Sequence, residues 1–311
     1  MGSTGDCAFQ IDLPLRHGGR AASALRYELI GEGGPLLIVG GGISAGRHVV
    51  AHADNPESGW WQSQASSFDL SRDRLLAIDW VGADGTLDAP IDSADQADAI
   101  AALLDHLGIA RADAFIGASY GGMVALQLAA RHPDRCGSIL VISASASAHP
   151  FASALRSLQR RALDLGRDGA GVALARAMAM LTYRTPAEFE ERFAEAPWIE
   201  DGRVRVSADS YLDHHGGRHV ERMSATAYRR LSESIDLHRI DPADTRIPVT
   251  FAAVDSDALV PAADVEVLAA AVPGARFRLI HSKFGHDAFL KEDGQIAAII
   301  TEFLETLESD R

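Results

Sequence analysis

Cysteine is nearly absent: Cys7 and Cys136 are the only two in 311 residues. Two thiols cannot build a disulfide framework, and they lack the spacing of metal ligands, so a reduced, cytoplasmic protein without a metal site is expected. Long apolar runs are missing too. Residues 1–20 contain no apolar core of a signal peptide, and apolar runs such as 138–145 fall well short of a membrane span, so no membrane partner is expected. Positive charge is in deficit, with 29 Lys and Arg against 43 Asp and Glu and a formal charge of −14. That balance argues against a general affinity for nucleic acid or anionic surfaces. It leaves room for a small anionic substrate, because a local cationic pocket outweighs the global field at short range.

The remainder is ordinary for a globular chain: 47% apolar and 23% charged residues. The length predicts one large domain or a core with an insertion. After a Gly/Ser/Asp-rich start expected to be frayed, residues 35–39 read as a buried strand running into Gly40-Gly41-Gly42, and 75–78 as a second strand. Ile100, Leu103, Leu104 and Leu107 form the stripe of an amphipathic helix stopped by Gly108. Residues 112–116 read as a strand, 122–131 as a helix and 138–142 as a further strand. This alternation predicts an α/β fold with a mostly parallel sheet covered on both faces. From 145 to 245 the pattern is helical with no convincing strand. The strand–helix rhythm returns at 248–254, 263–271, 277–280 and 295–307. Residues 1–144 and 246–311 are therefore expected to form the core, with 145–245 inserted as a helical lid.

Gly117-Ala118-Ser119-Tyr120-Gly121 fits G-x-S-x-G between a predicted strand and a predicted helix. A Gly-rich turn with a surface serine would match the same five letters. The strand before and the helix after point instead to a nucleophile elbow, where small flanking residues let the backbone turn sharply. A serine hydroxyl needs a base, and the base needs an acid to hold its tautomer. His286, between the last predicted strand and the final helix, is the candidate base of an α/β-hydrolase arrangement. Asp255 and Asp257 compete as the acid. Asp257 is favoured because it lies in the loop beyond the strand, with Asp255 the alternative. For the oxyanion hole, the N–H of Tyr120 is one candidate donor and that of Ile43, after the triple glycine, the other. No Gly-Lys-Ser/Thr follows those glycines, so a phosphate loop is not indicated.

One arginine, Arg176, interrupts residues 171–181, which are otherwise apolar on every side. It points either to solvent from an Ala-rich helix or into a cavity. Arg160 is a reserve cation, better read as part of a solvated helix face.

Several segments resemble the homoserine O-acetyltransferase family, from about residue 25 to the C-terminus. They are Gly59-Trp60-Trp61, Gly117 to Met123, Leu181-Thr-Tyr-Arg-Thr185 with Phe189 and Phe193, Ser210-Tyr-Leu-Asp213, Asp257-Ala-Leu-Val-Pro261 and Gly285-His-Asp-Ala-Phe-Leu290. The resemblance implies the α/β-hydrolase fold and a ping-pong transfer of an acyl group from acyl-CoA to the hydroxyl of L-homoserine, in methionine biosynthesis. It implies no cofactor beyond acyl-CoA as co-substrate, and a homodimer through the lid helices. It assigns Asp257 as the triad acid, Arg176 to the homoserine carboxylate and Asp287 to its amino group. Tyr183, beside the Arg176 helix, is a further pocket candidate or simply a packed tyrosine. The chain departs from the family where Tyr120 replaces Met, and in its shorter stretches at 79–98 and 161–171. This compact form resembles family branches that use succinyl-CoA; Arg47 and His48 are candidates to meet a succinyl carboxylate or, equally, to lie at the surface. An esterase or thioesterase with the same triad, or an L-serine O-acyltransferase, remains an alternative, as does a non-catalytic binding protein.

Overall fold

The computed structural model describes residues 4–166 and 169–309. Residues 1–3 of the chain start, and 167–168 within the short 161–171 stretch, lie outside the described residues. Eight strands form one sheet in the order β1-β2-β4-β3-β5-β6-β9-β10. These are β1 (Thr4–Pro14), β2 (Arg20–Ile30), β3 (Leu36–Gly40), β4 (Arg74–Ile78), β5 (Ala112–Ala118), β6 (Cys136–Ile142), β9 (Val249–Val254) and β10 (Arg276–Ile280). From β4 through β10 every neighbouring pair is parallel, and β1 and β2 add an antiparallel hairpin at the β4 edge. The expected fraying of the start is thus corrected. Phe9, Ile11 and Leu13 alternate with polar residues, and that period-2 pattern gives β1 one face to bury against the core.

The central strands are apolar on both sides because both faces are covered. In β3, Leu36 and Ile38 join one buried cluster while Leu37 and Val39 join the other. The first cluster is closed by α1 (Ser93–His106), α2 (Tyr120–Arg131) and α8 (Ala262–Ala271); the second by α9 (Asp293–Ser309) with Trp61 and Phe68. Asp92 starts α1 with a capping box: its carboxylate accepts from Ala94 and Asp95 N–H while Asp95 returns a bond to the Asp92 N–H.

Between β6 and β9 the chain runs through α3 (Pro150–Leu165), α4 (Ala170–Tyr183), α5 (Pro186–Phe193), α6 (Asp209–Val220) and α7 (Ala225–Leu237). It also contains a small hairpin, β7 (Trp198–Glu200) with β8 (Arg203–Arg205), which corrects the expectation of a strand-free stretch. The hairpin turns at Asp201-Gly202 in left-handed backbone, a turn signal too short to stand out in the sequence. No helix among the described residues is long and apolar enough to cross a membrane.

Candidate active site

Ser119 sits between β5 and α2 with φ 54° and ψ −118°. A non-glycine residue holds such a backbone only where its surroundings leave no alternative. Here the Ser119 N–H donates to Ile142 O at 2.8 Å and the Gly121 N–H to Gly41 O at 2.8 Å. The two glycines are steric necessities. A Cβ on Gly117 would lie 2.3 Å from Gly121 O, and one on Gly121 would lie 2.1 Å from Gly40 O.

Ser119 Oγ is 2.8 Å from His286 Nε2, and His286 Nδ1 is 2.6 Å from Asp257 Oδ2. The other oxygen of Asp257 accepts from the N–H groups of Leu259 and Val260 at 2.8 and 3.0 Å. The buried carboxylate is therefore fully partnered and fixes the imidazole with its Nδ1–H toward Asp257 and its Nε2 toward the serine. Burial disfavours the imidazolium, but the charge and hydrogen bond of Asp257 outweigh it and raise the His286 pKa above its ordinary value. Asp255 is turned away. It pairs with the exposed ring of His281 at 2.9 Å and accepts from Ser282 N–H at 3.1 Å.

The glycine loop after β3 is held at two carbonyls: Gly41 O takes the Gly121 N–H and Gly42 O takes the Trp80 indole N–H at 3.0 Å. Ile43 faces the same cavity as Ser119 and Tyr120. Tyr120 supplies the first N–H of α2, which has no intrahelical acceptor. Its ring is wholly buried, edge-on to Trp80, and its hydroxyl hydrogen-bonds Ser234 Oγ at 2.5 Å.

The cavity above Ser119 has a volume of about 270 Å³. Arg176 reaches it from α4, its guanidinium 5.4 Å from the centre of the Tyr183 ring, and that ring lies 6.0 Å from the His286 ring. Of the two orientations open to Arg176, the structure has the inward one. Asp287 lines the same cavity. Burial pushes its carboxyl pKa upward, and the nearby charges of Arg184, His286 and Arg176 pull against that rise.

Two arginines carry no role in the reading of the sequence yet bear on this site. Arg184 Nε lies 2.8 Å from Asp287 Oδ2, close but not aligned for a hydrogen bond, and Arg184 Nη1 bonds Glu188 at 2.5 Å. Arg156 lines the cavity from α3. The i,i+4 spacing of Arg184 and Glu188 was a visible signal; the partner of Arg156 on α7 was not.

Three expectations are corrected. Arg160 is not on a solvated face: its side chain is 17% exposed and bound to Asp236 and Ser232. Arg47 pairs with Asp79, which also accepts its N–H at 2.9 Å. His48 joins His52 around the buried carboxylate of Glu28, each 3.1 Å from it. Neither Arg47 nor His48 lines the cavity, because the loop carrying them is tied down to β2 and to the end of β4.

Residues 34–293 match the family of the alpha/beta hydrolase fold. A homoserine O-succinyltransferase of Xanthomonas campestris pv. campestris is 53% identical over 305 residues, covering 95% of this chain and 83% of the relative. The chain belongs to the homoserine O-acyltransferase family of α/β hydrolases. A homoserine O-acetyltransferase of Thermus thermophilus is 38% identical over 69% of this chain and 58% of its own length. The solved structure of a homoserine O-acetyltransferase from Bacillus anthracis superposes with a TM-score of 0.88 at 17% identity, covering 98% of each chain, a likeness of fold alone.

Proposed function

We propose that this family member transfers a succinyl group from succinyl-CoA to the hydroxyl of L-homoserine, in methionine biosynthesis, through Ser119, His286 and Asp257. The observation that carries the reading is the pairing of opposite charges beside the nucleophile: Arg176 and Asp287 line one cavity with Ser119. A zwitterionic alcohol needs a cation for its carboxylate and an anion for its ammonium. The activity of the 53%-identical homoserine O-succinyltransferase supports homoserine as acceptor and succinyl as the acyl group.

In the first half-reaction His286 Nε2 takes the Ser119 proton as Oγ bonds to the thioester carbonyl. The Ile43 and Tyr120 N–H groups hold the oxyanion. The C–S bond then breaks, the thiolate takes the proton from His286, and CoA leaves. Homoserine next binds with its carboxylate on Arg176, its ammonium on Asp287, and Tyr183 packed alongside. His286 takes the homoserine hydroxyl proton, the new C–O bond forms, and Ser119 Oγ leaves with that proton. Residues 145–245 act as the lid that keeps water from the acyl-enzyme, on a core of 1–144 and 246–311. Leu165, Leu174, Ile199 and Val204 on that insertion are exposed apolar side chains that a homodimer would cover, which light scattering tests.

The deciding experiment is CoA release with succinyl-CoA or acetyl-CoA, each with and without L-homoserine or L-serine. Homoserine-dependent release that disappears in Ser119→Ala supports the transferase. Release indifferent to either amino acid overturns it in favour of a thioesterase, and a preference for L-serine replaces the acceptor.

A further inference from the structure

Arg156 and Arg160 lie one turn apart on α3 and face Ser232 and Asp236, one turn apart on α7. Asp236 holds both guanidiniums: Arg156 through Nε at 2.8 Å and Nη2 at 2.7 Å, Arg160 through Nη1 at 2.7 Å. Arg156 Nη2 also donates to Ser153 Oγ at 3.3 Å, and Arg160 Nη1 to Ser232 Oγ at 3.0 Å. One carboxylate therefore balances two cations, leaving a surplus positive charge on side chains that are only 12% and 17% exposed. A dehydrated charge without a full partner is costly, and it persists where a ligand completes it.

The two arginines differ in one respect. Arg160 is not among the residues that line the cavity, whereas Arg156 lines it together with Ser119. The contacts of Arg156 use Nε and Nη2 and leave Nη1 outside them. Its charge is felt at the reacting centre, where it opposes protonation of His286. Arg176 and Asp287 already match the two charges of an amino acid, so a further cation on the cavity wall calls for a further anion.

We propose that Arg156, held in place by Asp236, binds the free carboxylate of a dicarboxylic acyl group carried on Ser119, and so selects succinyl over acetyl donors. This rests on the acyl-transfer reading and adds the residue that recognises the donor. Arg156 touches the acyl group; Asp236 is a positioning residue that fixes the guanidinium plane and keeps Nη1 free.

The test follows the first half-reaction alone: single-turnover thiol release and intact-mass detection of acyl-Ser119, with no amino acid present, for succinyl-CoA and acetyl-CoA. In Arg156→Gln the succinyl-to-acetyl ratio of acylation rates should fall by roughly 100-fold, the usual size of a lost charge-assisted contact. In Arg156→Lys, which keeps the charge but not the fork, it should fall by about 10-fold. Melting curves report whether either variant is folded, and the lysine variant carries the test if the glutamine one is not. An unchanged ratio in a folded variant overturns the proposal, as does equal slowing with both donors or a wild-type preference for acetyl-CoA. A higher KM for homoserine at an unchanged donor ratio would assign Arg156 to the acceptor instead, and also overturns it. Because no acceptor enters the donor assay, failure of homoserine to stimulate turnover remains a separate result, bearing on the transferase reading alone.

Discussion

The guanidinium of Arg184 stands 2.8 Å from the carboxylate of Asp287, the residue directly after the histidine that bonds Ser119. Asp287 must be ionised to hold an ammonium group, yet its burial favours the neutral acid. Arg184 is the leading influence that opposes this, and it is itself held between Asp287 and Glu188 in a pocket where its side chain is 8% exposed. Arg184→Gln should let the Asp287 pKa climb further, so that the KM for homoserine rises by about 10-fold or more. The rise should be larger at pH 6 than at pH 8, because the carboxylate is lost from the acid side. The same change strips Glu188 of its closest partner and should cost about 3 kcal/mol in chemical denaturation. A KM increase with no pH dependence would separate Arg184 from Asp287.

The two acids of residues 255–257 have different partners and should behave differently. Asp257→Asn should reduce kcat by about 10⁴-fold, since an amide cannot hold the Nδ1–H tautomer of His286. Asp255→Asn touches an exposed pair with His281 and the bond from Ser282 N–H, neither of which reaches Ser119, and should change kcat by less than about threefold. Steady-state rates of the two variants, measured side by side, check the assignment of the triad acid.

The elbow at Ser119 was legible in the sequence because its constraints are local. Gly117, Ser119 and Gly121 must be adjacent for the backbone to make the elbow, and a strand and helix must flank them. His286 and Asp257 were legible because chain order in this fold is fixed by topology. β1 was hidden by its composition, since Gly, Asp and Arg around it mask an alternation carried by Phe9, Ile11 and Leu13. The pairing of Arg156 with Asp236 joins residues 80 apart through the packing of α3 on α7, and no spacing rule reaches that far. Arg47 and His48 could have met a succinyl carboxylate or lain at the surface, and the sequence did not distinguish the two. In the structure the Arg47 guanidinium is already paired with Asp79, and the His48 ring is hydrogen-bonded to Glu28.

The elbow also gives a steric prediction. A Cβ at Gly121 would overlap the Gly40 carbonyl, a contact between two backbones with no flexible side chain to yield. Gly121→Ala should therefore lower unfolding stability by several kcal/mol, on the order of 3, and remove activity together with it. Gly217 on α6 has open space around its Cα, and Gly217→Ala should stabilise by roughly 0.5–1 kcal/mol through helix propensity. Thermal melts of the pair distinguish a site that needs glycine from one that merely has it.

Acid stability should be governed in part by His238, which is fully buried away from Ser119. Its Nε2–H donates to the Ser145 carbonyl at 3.1 Å, so its Nδ1 accepts from the Ser93 hydroxyl at 2.6 Å, an arrangement that requires the neutral ring. Burial lowers its pKa from 6.5 to about 4, and His219, buried beside Tyr228, is likewise lowered to about 4. For a group whose folded pKa lies below its unfolded one, the unfolded chain binds the extra proton between those two values. Stability is then complete above pH 6.5 and lost as the pH falls toward 4, by up to roughly 3 kcal/mol for each ring. His286 runs the opposite way: its raised pKa favours the folded state below 6.5 and ceases to do so as the pH rises through its folded value. Urea unfolding at pH 7.5 and pH 5 should show a lower midpoint at the acid end. His238→Gln should be less stable than wild type at pH 7.5 but lose less between the two pH values. An equal loss in variant and wild type would place the acid sensitivity in other groups.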